Sequence, residues 1–441
     1  MKMEDLVIVS VDDHIVEPPD LWENHLSAQH KHFAPKMLRD ADGADYWTFE
    51  GKRAAQGGLN AVVGRPKEEY GMEPIALEQM RAGVYDIDAR IDDMNVNGIL
   101  SSINFPSIVT FDGGLFLNYE NKEHARILVS AYNDWHVDEW CGKYPGRNIP
   151  NGILPYWDVP ATVAEIERLA KKGCHSFTFS DNPSAKGQPS IHNEHWKPFW
   201  KACADNDMVI NIHIGSGRHP PHASMETPID AWITSFPMSI AQAAADWLHL
   251  EALREYQLKI ALSEGGIGWV PYLLERAEFV QLHHSSWTHG KLSGKTPKEI
   301  FREHFLTCFI EDKFGLDNLR AIGEDMVAYE CDYPHSDCQW PLAPEYLWQT
   351  VQGLTDEQIE KVTHRNALKF YNYDAIGKLG GRANCTVGAL RAQATYVDTS
   401  KTGLAGAAPV AKGAKPRPVT SGDIVAMQAR VNAKSELAVD A

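Results

Sequence analysis

Asp12 and His14 stand two residues apart at the end of a short β-branched run, LVIVSVDDH over residues 6–14. In an extended strand successive side chains alternate faces, so these two point the same way, about 7 Å apart at the backbone given a rise of about 3.3 Å per residue. Asp13 points to the other face. A carboxylate beside an imidazole is a pair of metal ligands or an acid–base couple, and one such pair alone has little specificity. Three later runs end in the same chemistry: His213 in NIHIG, Glu264 in LSEGG, and Asp332 in ECDYPH, with His335 and Asp337 three and five residues further on. Acids and histidines gathered on one rim would repel one another or go undersolvated without a cation. Carboxylate with imidazole is a donor set for Zn, Mn or Fe, as one ion or two.

Gathering these residues requires that their runs be strands whose ends share a rim. Short apolar runs at about 6–14, 98–106, 150–158, 175–181, 208–215, 259–266, 306–312 and 326–335 alternate with amphipathic stretches. That is the pattern of βα units with a parallel sheet. One helix shows how such a stretch is specified: in 161–172, Ala164, Ile166, Leu169 and Ala170 form an apolar stripe, and Gly173 is a natural stop. Eight strand–helix units predict a closed α/β barrel, a (β/α)8 TIM barrel, whose active site lies where the strands end. The barrel domain is expected over 1–373. Residues 20–90, with Trp22, Trp47, Gly57-Gly58 and Tyr70, are too long for a loop and read as an insertion covering one end. Beyond Tyr373 the composition shifts to Ala, Gly, Lys and Pro, so 374–441 reads as a C-terminal extension, an arm or disordered, with 423–437 as a helix able to dock on a neighbouring subunit.

The net charge of −17 argues against a nucleic-acid partner, which would demand clustered Lys and Arg. Seven cysteines without a CxxC pair read as reduced thiols in a cytoplasmic protein and exclude a zinc ribbon. The first thirteen residues carry four acids against one lysine, unlike a signal peptide, and no run of 18 apolar residues offers a membrane span.

The runs VDDHIVEPPDLW, INIHIG, SEGGIGWVPYLLER and ECDYPHSDCQWP, closing with HRNALKFY, together resemble the amidohydrolase-related family that includes aminocarboxymuconate semialdehyde decarboxylase and the resorcylate decarboxylases. The resemblance spans residues 6–373 and implies that Asp12, His14, His213 and Asp332 are metal ligands. The first pair in the family is often His-x-His or Glu-x-His; here it is Asp-x-His. Where the decarboxylases carry a proton-managing histidine after strand six, this chain has Glu264, which is expected to be an acid or base tuned by burial, or a further ligand that makes a two-metal site. No lysine closes strand four to bridge two metals. Arg276, five residues after Pro271, stands where the resemblance implies an arginine that reaches a neighbouring subunit's substrate carboxylate. His335 and Trp269 are expected substrate contacts. His283 and His284, on a helix leading away from the rim, are expected to be structural.

The leading expectation is a metal-dependent hydrolase of a small carboxylate-bearing or aromatic substrate, working through a metal-activated water with Asp332 or Glu264 as base. The alternatives are a non-oxidative decarboxylase of an aromatic or enoic acid and a non-heme diiron monooxygenase on the same scaffold. A homodimer or larger homo-oligomer is expected from the aromatic residues between Trp269 and Trp287 and from the long tail.

Overall fold

A computed structural model describes residues 1–41, 43–55, 61–71, 76–290, 294–401, 415 and 417–433. Eight parallel strands, β1 (Val9–His14), β2 (Ser101–Phe105), β3 (Asn148–Ile149), β4 (Ser176–Phe179), β5 (Val209–His213), β6 (Lys259–Ser263), β7 (Phe305–Phe309) and β8 (Val327–Tyr329), pair in chain order. Two backbone seams join them into a barrel. Between β3 and β4, Gly152 N donates to Ser176 O and Thr178 N to Gly152 O, both at 2.9 Å. Between β8 and β1, Asp332 N donates to Asp12 O at 2.8 Å and His14 N to Tyr333 O at 2.6 Å. The second seam is made by the loop that carries Asp332, so barrel closure itself brings Asp332 beside Asp12.

Alternate residues of the strands fill the interior: Val9 and Val11, Ile103 and Phe105, Ile149, Val209, Ala261, Leu306 and Cys308, and Ala328, with Ala367 and Tyr371 closing the bottom. The opposite faces, such as Ile8, Ile210, Ile212 and Ile260, pack under the helices. This is the two-sided burial that lets a parallel strand read as an apolar run. In β1 the pairing register slips between Ser10 and Asp13. Val9 and Val11 point inward, and across the slip Asp12 and His14 face the mouth, an exchange of faces that a one-residue slip produces.

One sequence expectation is corrected, and two others gain detail. The third strand, expected over 150–158, is Asn148–Ile149 with a single bridge at Gly152; Pro150 and Pro155 offer no N–H to a ladder. The insertion expected over 20–90 ends earlier, since the helix Ile87–Val96, started by Asp86 accepting from Ala89 N, belongs to the barrel. It contains a three-stranded antiparallel sheet, Lys36–Arg39, Asp45–Phe49 and Lys52–Ala55, whose Trp47 and Phe49 pack edge-on against Trp22. Gly57 and Gly58 lie outside the described residues. The extension is an ordered part of the same body over its described stretches. Ala375, Cys385, Val387 and Leu390 are buried, and Val387 N donates to Leu6 O at 2.8 Å. Apolar residues spaced along 375–390 give it a face to bury.

Residues 419–422 pair with the loop after β5: Ile229 N donates to Val419 O, Ser421 N to Thr227 O and Gly422 N to Met225 O. The helix Ser421–Ala433 then buries Met427 against this same chain; residues 434–437 of the expected docking helix lie outside the described residues. No described helix is long and apolar enough to cross a membrane.

The two glycines after Glu264 have separate causes. Gly266 sits at φ +63, in the left-handed region, while a Cβ on Gly265 would meet Ile240 Cγ2 at 1.9 Å. Gly265→Ala is therefore expected to destabilise by about 1–3 kcal/mol through overpacking. A melting temperature equal to that of the parent would contradict this packing.

Candidate metal centre

Four strand ends deliver the polar cluster. Asp12 and His14 come from β1 after its slip, and His213 ends β5 on the face shared by Val209 and Asn211. Glu264 follows β6 directly, and Asp332 follows β8. Glu264 and Asp332 both hold the left-handed backbone region, at φ 61 and 55. Such conformations cost a non-glycine residue energy and cluster where function imposes them. Each is held by its neighbours: Glu264 N donates to Glu330 Oε2 at 3.0 Å, and Asp332 N to Asp12 O. The turn after Asp332 closes with His335 N donating to Asp332 O at 2.9 Å, and it swings the His335 ring over His14, stacked at 3.7 Å between centroids.

His14 Nε2 lies 3.4 Å from Asp12 Oδ1, 3.3 Å from Asp332 Oδ1 and 3.3 Å from His213 Nε2. His213 Nε2 lies 3.4 Å from Asp12 Oδ2 and 3.2 Å from Glu264 Oε2, and His335 Nδ1 is 3.0 Å from Asp332 Oδ1. Donors bonded tetrahedrally to one ion at about 2.1 Å stand about 3.4 Å from each other, the spacing of Asp12, His14 and His213 here and of Asp332 from His14. Beyond the contact between the two imidazole Nε2 atoms, hydrogen bonding does not account for it. His213 donates its Nδ1–H to Ile214 O at 2.6 Å, so its Nε2 aims a lone pair at the centre. Both oxygens of Asp12 and of Asp332 are buried without a hydrogen-bond partner, as are His14 Nδ1 and His335 Nε2. The aspartate–imidazole approaches are contacts between lone-pair carriers rather than satisfied bonds.

The electrostatics point the same way. Burial, and then the neighbouring acids, push the Asp12, Glu264 and Asp332 carboxyls well above the usual carboxylate range. Burial also holds His14 well below its ordinary value, His213 at about 3 and His335 at about 4. Among the described residues no lysine or arginine pairs with Asp12, Glu264 or Asp332. A dication supplies the missing positive charge and takes ionised carboxylates and neutral imidazoles, the forms in which these residues serve as ligands. The donor set therefore fits a divalent cation.

The structure thus brings together six of the residues singled out from sequence: Asp12, His14, His213, Glu264, Asp332 and His335. Trp269 is half-buried and donates from Nε1 to Gly265 O at 2.8 Å, bracing the turn after Glu264. Arg276 lies on the exposed face of the helix Val270–Thr288, its guanidinium over the Phe279 ring at 4.7 Å, and it does not join the cluster of its own chain. His283 and His284 lie further along that helix, where Trp287 Nε1 donates to His284 Nδ1. Asp13 turns away, accepting from Ser10 Oγ at 2.9 Å and Tyr333 N at 3.2 Å.

Three contributors escape sequence reasoning. Phe111, in the loop after β2, lies 5.0 Å from His14 and 4.4 Å from His213 and walls the centre together with Phe105. Arg90, buried behind the first strand, donates to His14 O. Glu330, its carboxyl raised to about 7 by burial, accepts from Glu264 N and from Cys308 Sγ. Only the acidic character of the ECD run hinted at it.

The amidohydrolase family model matches residues 29–373. No protein of curated function matches the chain by sequence. Among solved structures, an amidohydrolase from Mycobacterium avium subsp. paratuberculosis K-10 is 20% identical with a TM-score of 0.63, over 83% of this chain and 99% of that one. The 5-carboxyvanillate decarboxylase from Sphingomonas paucimobilis is 17% identical with a TM-score of 0.58, over 84% and 100%. A dihydroxybenzoic acid decarboxylase from Polaromonas sp. JS666, solved with bound manganese and the inhibitor 2-nitroresorcinol, is 18% identical with a TM-score of 0.55, over 83% and 97%. At such identities the likeness speaks for the barrel.

Proposed function

This chain belongs to the amidohydrolase family, and from that premise we propose that it is a divalent-metal-dependent enzyme that hydrolyses a small organic substrate at the cluster above. One observation carries the reading: the Asp12, His14 and His213 donors stand from one another, and Asp332 from His14, at the edge length of a coordination shell, and the four aspartate oxygens have no hydrogen-bond partner. Zn, Mn and Fe suit these donors, and manganese in one fold neighbour supports a first-row ion. When bound, the cation supplies Lewis acidity, polarising a carbonyl and lowering the pKa of water.

The protein side of the reaction is positioning and proton transfer. Asp12, His14 and His213 would hold the cation at the rim. Asp332 Oδ1 faces His14 and His335, leaving Oδ2 to collect the proton of the attacking water. Phe105 and Phe111 wall the centre with flat apolar surface, suited to an aromatic or similarly planar substrate.

Non-oxidative decarboxylation is the second reading, favoured by decarboxylases of aromatic acids among the fold neighbours. Glu264, in the place of the histidine on which that chemistry relies in the resembling enzymes, ranks it second. A panel of aryl esters, lactones, anilides and hydroxylated benzoic acids, offered to Mn- and Zn-loaded protein, separates the two. Hydrolysis products are expected. Carbon dioxide release from the benzoic acids, with the esters, lactones and anilides untouched, would replace the first reading by the second.

A homo-oligomer is part of the proposal. The helix Val270–Thr288 exposes Tyr272, Phe279, Leu282 and Trp287, with Leu282 at 77% and Trp287 at 71%, an apolar display that a monomer rarely keeps in water. A dimer or larger species is expected in light scattering, and a monomer at micromolar concentration would contradict it. In such an assembly Arg276, on the same helix, would be placed to meet an anionic group of the neighbouring site.

A further inference from the structure

We propose that the C-terminal segment 419–433 belongs to the substrate site: it straps the loop after β5 so that His219 and Phe236 extend the Phe111 wall into a slot for a planar aromatic ring. The inference deepens the reading above and rests on a cation at Asp12, His14 and His213, toward which the reacting group of that ring would point.

The slot begins where His213 ends β5. Two residues on, Gly215 sits at φ +73, in the left-handed region, and a Cβ placed there would stand 3.3 Å from Phe236 Cζ, 3.6 Å from His219 Cε1 and 4.0 Å from Phe111 Cε2. Glycine lets three rings converge at this point of the rim. Phe111 lies against the cluster, its centroid 4.4 Å from that of His213. Phe236 and His219 continue its surface outward, within 15° of parallel and 6.0 Å apart between centroids. Phe236 is half-buried and His219 exposed, so both keep ring surface open to a ligand. Aromatic walls that lead to a buried polar cluster suit a molecule with a flat apolar body and a polar reacting end.

The loop that carries these two rings has no core of its own, because every residue from Gly217 to Met238 is half-buried or exposed. Its order comes from three fastenings. At the base, Arg218 N donates to Asp181 Oδ1 at 3.1 Å and its guanidinium to Asp246 Oδ2 at 2.6 Å. Within the loop, Trp232 Nε1 donates to Pro220 O at 2.9 Å, and its ring stacks with Phe236 at 4.5 Å and with His222 at 5.1 Å. The third fastening is the C-terminal segment. Ile229 N donates to Val419 O at 2.9 Å, Ser421 N to Thr227 O at 2.8 Å and Gly422 N to Met225 O at 2.9 Å, while His222 Nδ1 lies 2.9 Å from Ser421 Oγ. From Ser421 the contacts run through His222 and Trp232 to Phe236 at the slot. Among the described residues of 417–433 only Ser421 and Met427 are buried, so the segment adds little to the core of the barrel. What it does fasten is the loop, and a loop already ordered pays less entropy when a ligand settles on its rings.

Hydroxamates separate the slot from the cation, since one chelating head can be offered with and without a ring. In titration calorimetry on Mn2+-loaded protein, benzohydroxamate is expected to bind on the order of 10–100-fold more tightly than acetohydroxamate. Phe236→Ala and truncation after Lys401, checked for folding by circular dichroism and for unchanged Mn content, are each expected to lose about 5–10-fold of that preference while acetohydroxamate binds as before. Ser421→Pro removes the N–H given to Thr227 O at a first helical turn that accepts proline, and is expected to show a smaller loss in the same direction. Equal affinity of wild type for the two hydroxamates, or a preference that survives Phe236→Ala, would overturn the slot while leaving the cation standing. A preference that survives both the truncation and Ser421→Pro would overturn the strap. Binding of neither hydroxamate would overturn the cation reading and the slot with it.

Discussion

Exchange of Asp332 for asparagine is expected to cut turnover by on the order of 10^2–10^4-fold while leaving the fold intact. The loss follows from two roles that meet in one carboxylate. Asp332 Oδ1 stands 3.3 Å from His14 Nε2, within the coordination edge, while the unpartnered Oδ2 is the proposed base, and an amide serves neither role at neutral pH. The fold is expected to survive because asparagine matches aspartate in shape and tolerates the left-handed conformation at φ 55 better than other residues do. The backbone bond from residue 332 to Asp12 O, part of the barrel seam, is unaffected by the side chain. Asp332→Ala separates the components, since it adds backbone strain to the same chemical loss and should lower the melting temperature further. Turnover by Asp332→Asn near wild type at saturating metal would remove Asp332 from the proton step.

Loading with Mn2+ is expected to stabilise the protein by an increment that grows with pH. In the metal-free protein the Asp12, Glu264 and Asp332 carboxyls are raised by burial and by one another, and Glu330 stands at about 7. A carboxyl raised in the folded state contributes stability that is full below its unfolded value, near 4, and is lost as pH rises through its folded value. The buried histidines run the other way. His213 at about 3 and His335 at about 4 contribute stability that is full above their unfolded value of about 6.5 and lost as pH falls toward those numbers. A cation accepts ionised carboxylates and neutral imidazoles, so it relieves the alkaline-side penalty and competes with protons on the acid side. At a hundredfold excess over its dissociation constant it adds about 2.7 kcal/mol. Thermal unfolding with and without Mn2+ between about pH 5.5 and 8 measures the increment. An increment that stays flat or shrinks as pH rises would contradict the assignment of these carboxylates to a cation.

What could be read from the residues, and what could not, divides along physical lines. His213, Glu264 and Asp332 were legible because each closes an apolar run, and a barrel delivers strand ends to one rim. The pair Asp12 and His14 was legible by alternation, yet the structure reaches the result by another route. Val9 and Val11 already point inward, and only the slip after Ser10 turns Asp12 and His14 into the mouth. A bulge of this kind has no signal in one sequence because it is imposed by the neighbouring strand. The third strand was misplaced since its apolar residues continue past the two that pair, while Pro150 and Pro155 end the ladder. The first turn of the helix Ile87–Val96 falls inside the expected 20–90 insertion because Asp88, Asp92, Asp93 and Asn95 blur the helix's apolar stripe, and its buried Arg90 is polar. Phe111 and Glu330 act through contacts across the barrel, which the order of residues along the chain does not express.

A cation among Asp12, His14, His213 and Asp332 is the premise of the proposed function. Crystals of protein purified without chelator, or soaked in Mn2+, measured with X-rays tuned to the absorption edge of the metal, locate it directly. The predicted result is an anomalous peak at the barrel mouth about 2.0–2.3 Å from donor atoms of all four residues. Full-length, well-ordered protein with no peak there, or with any of the four side chains turned away from the mouth, would contradict it.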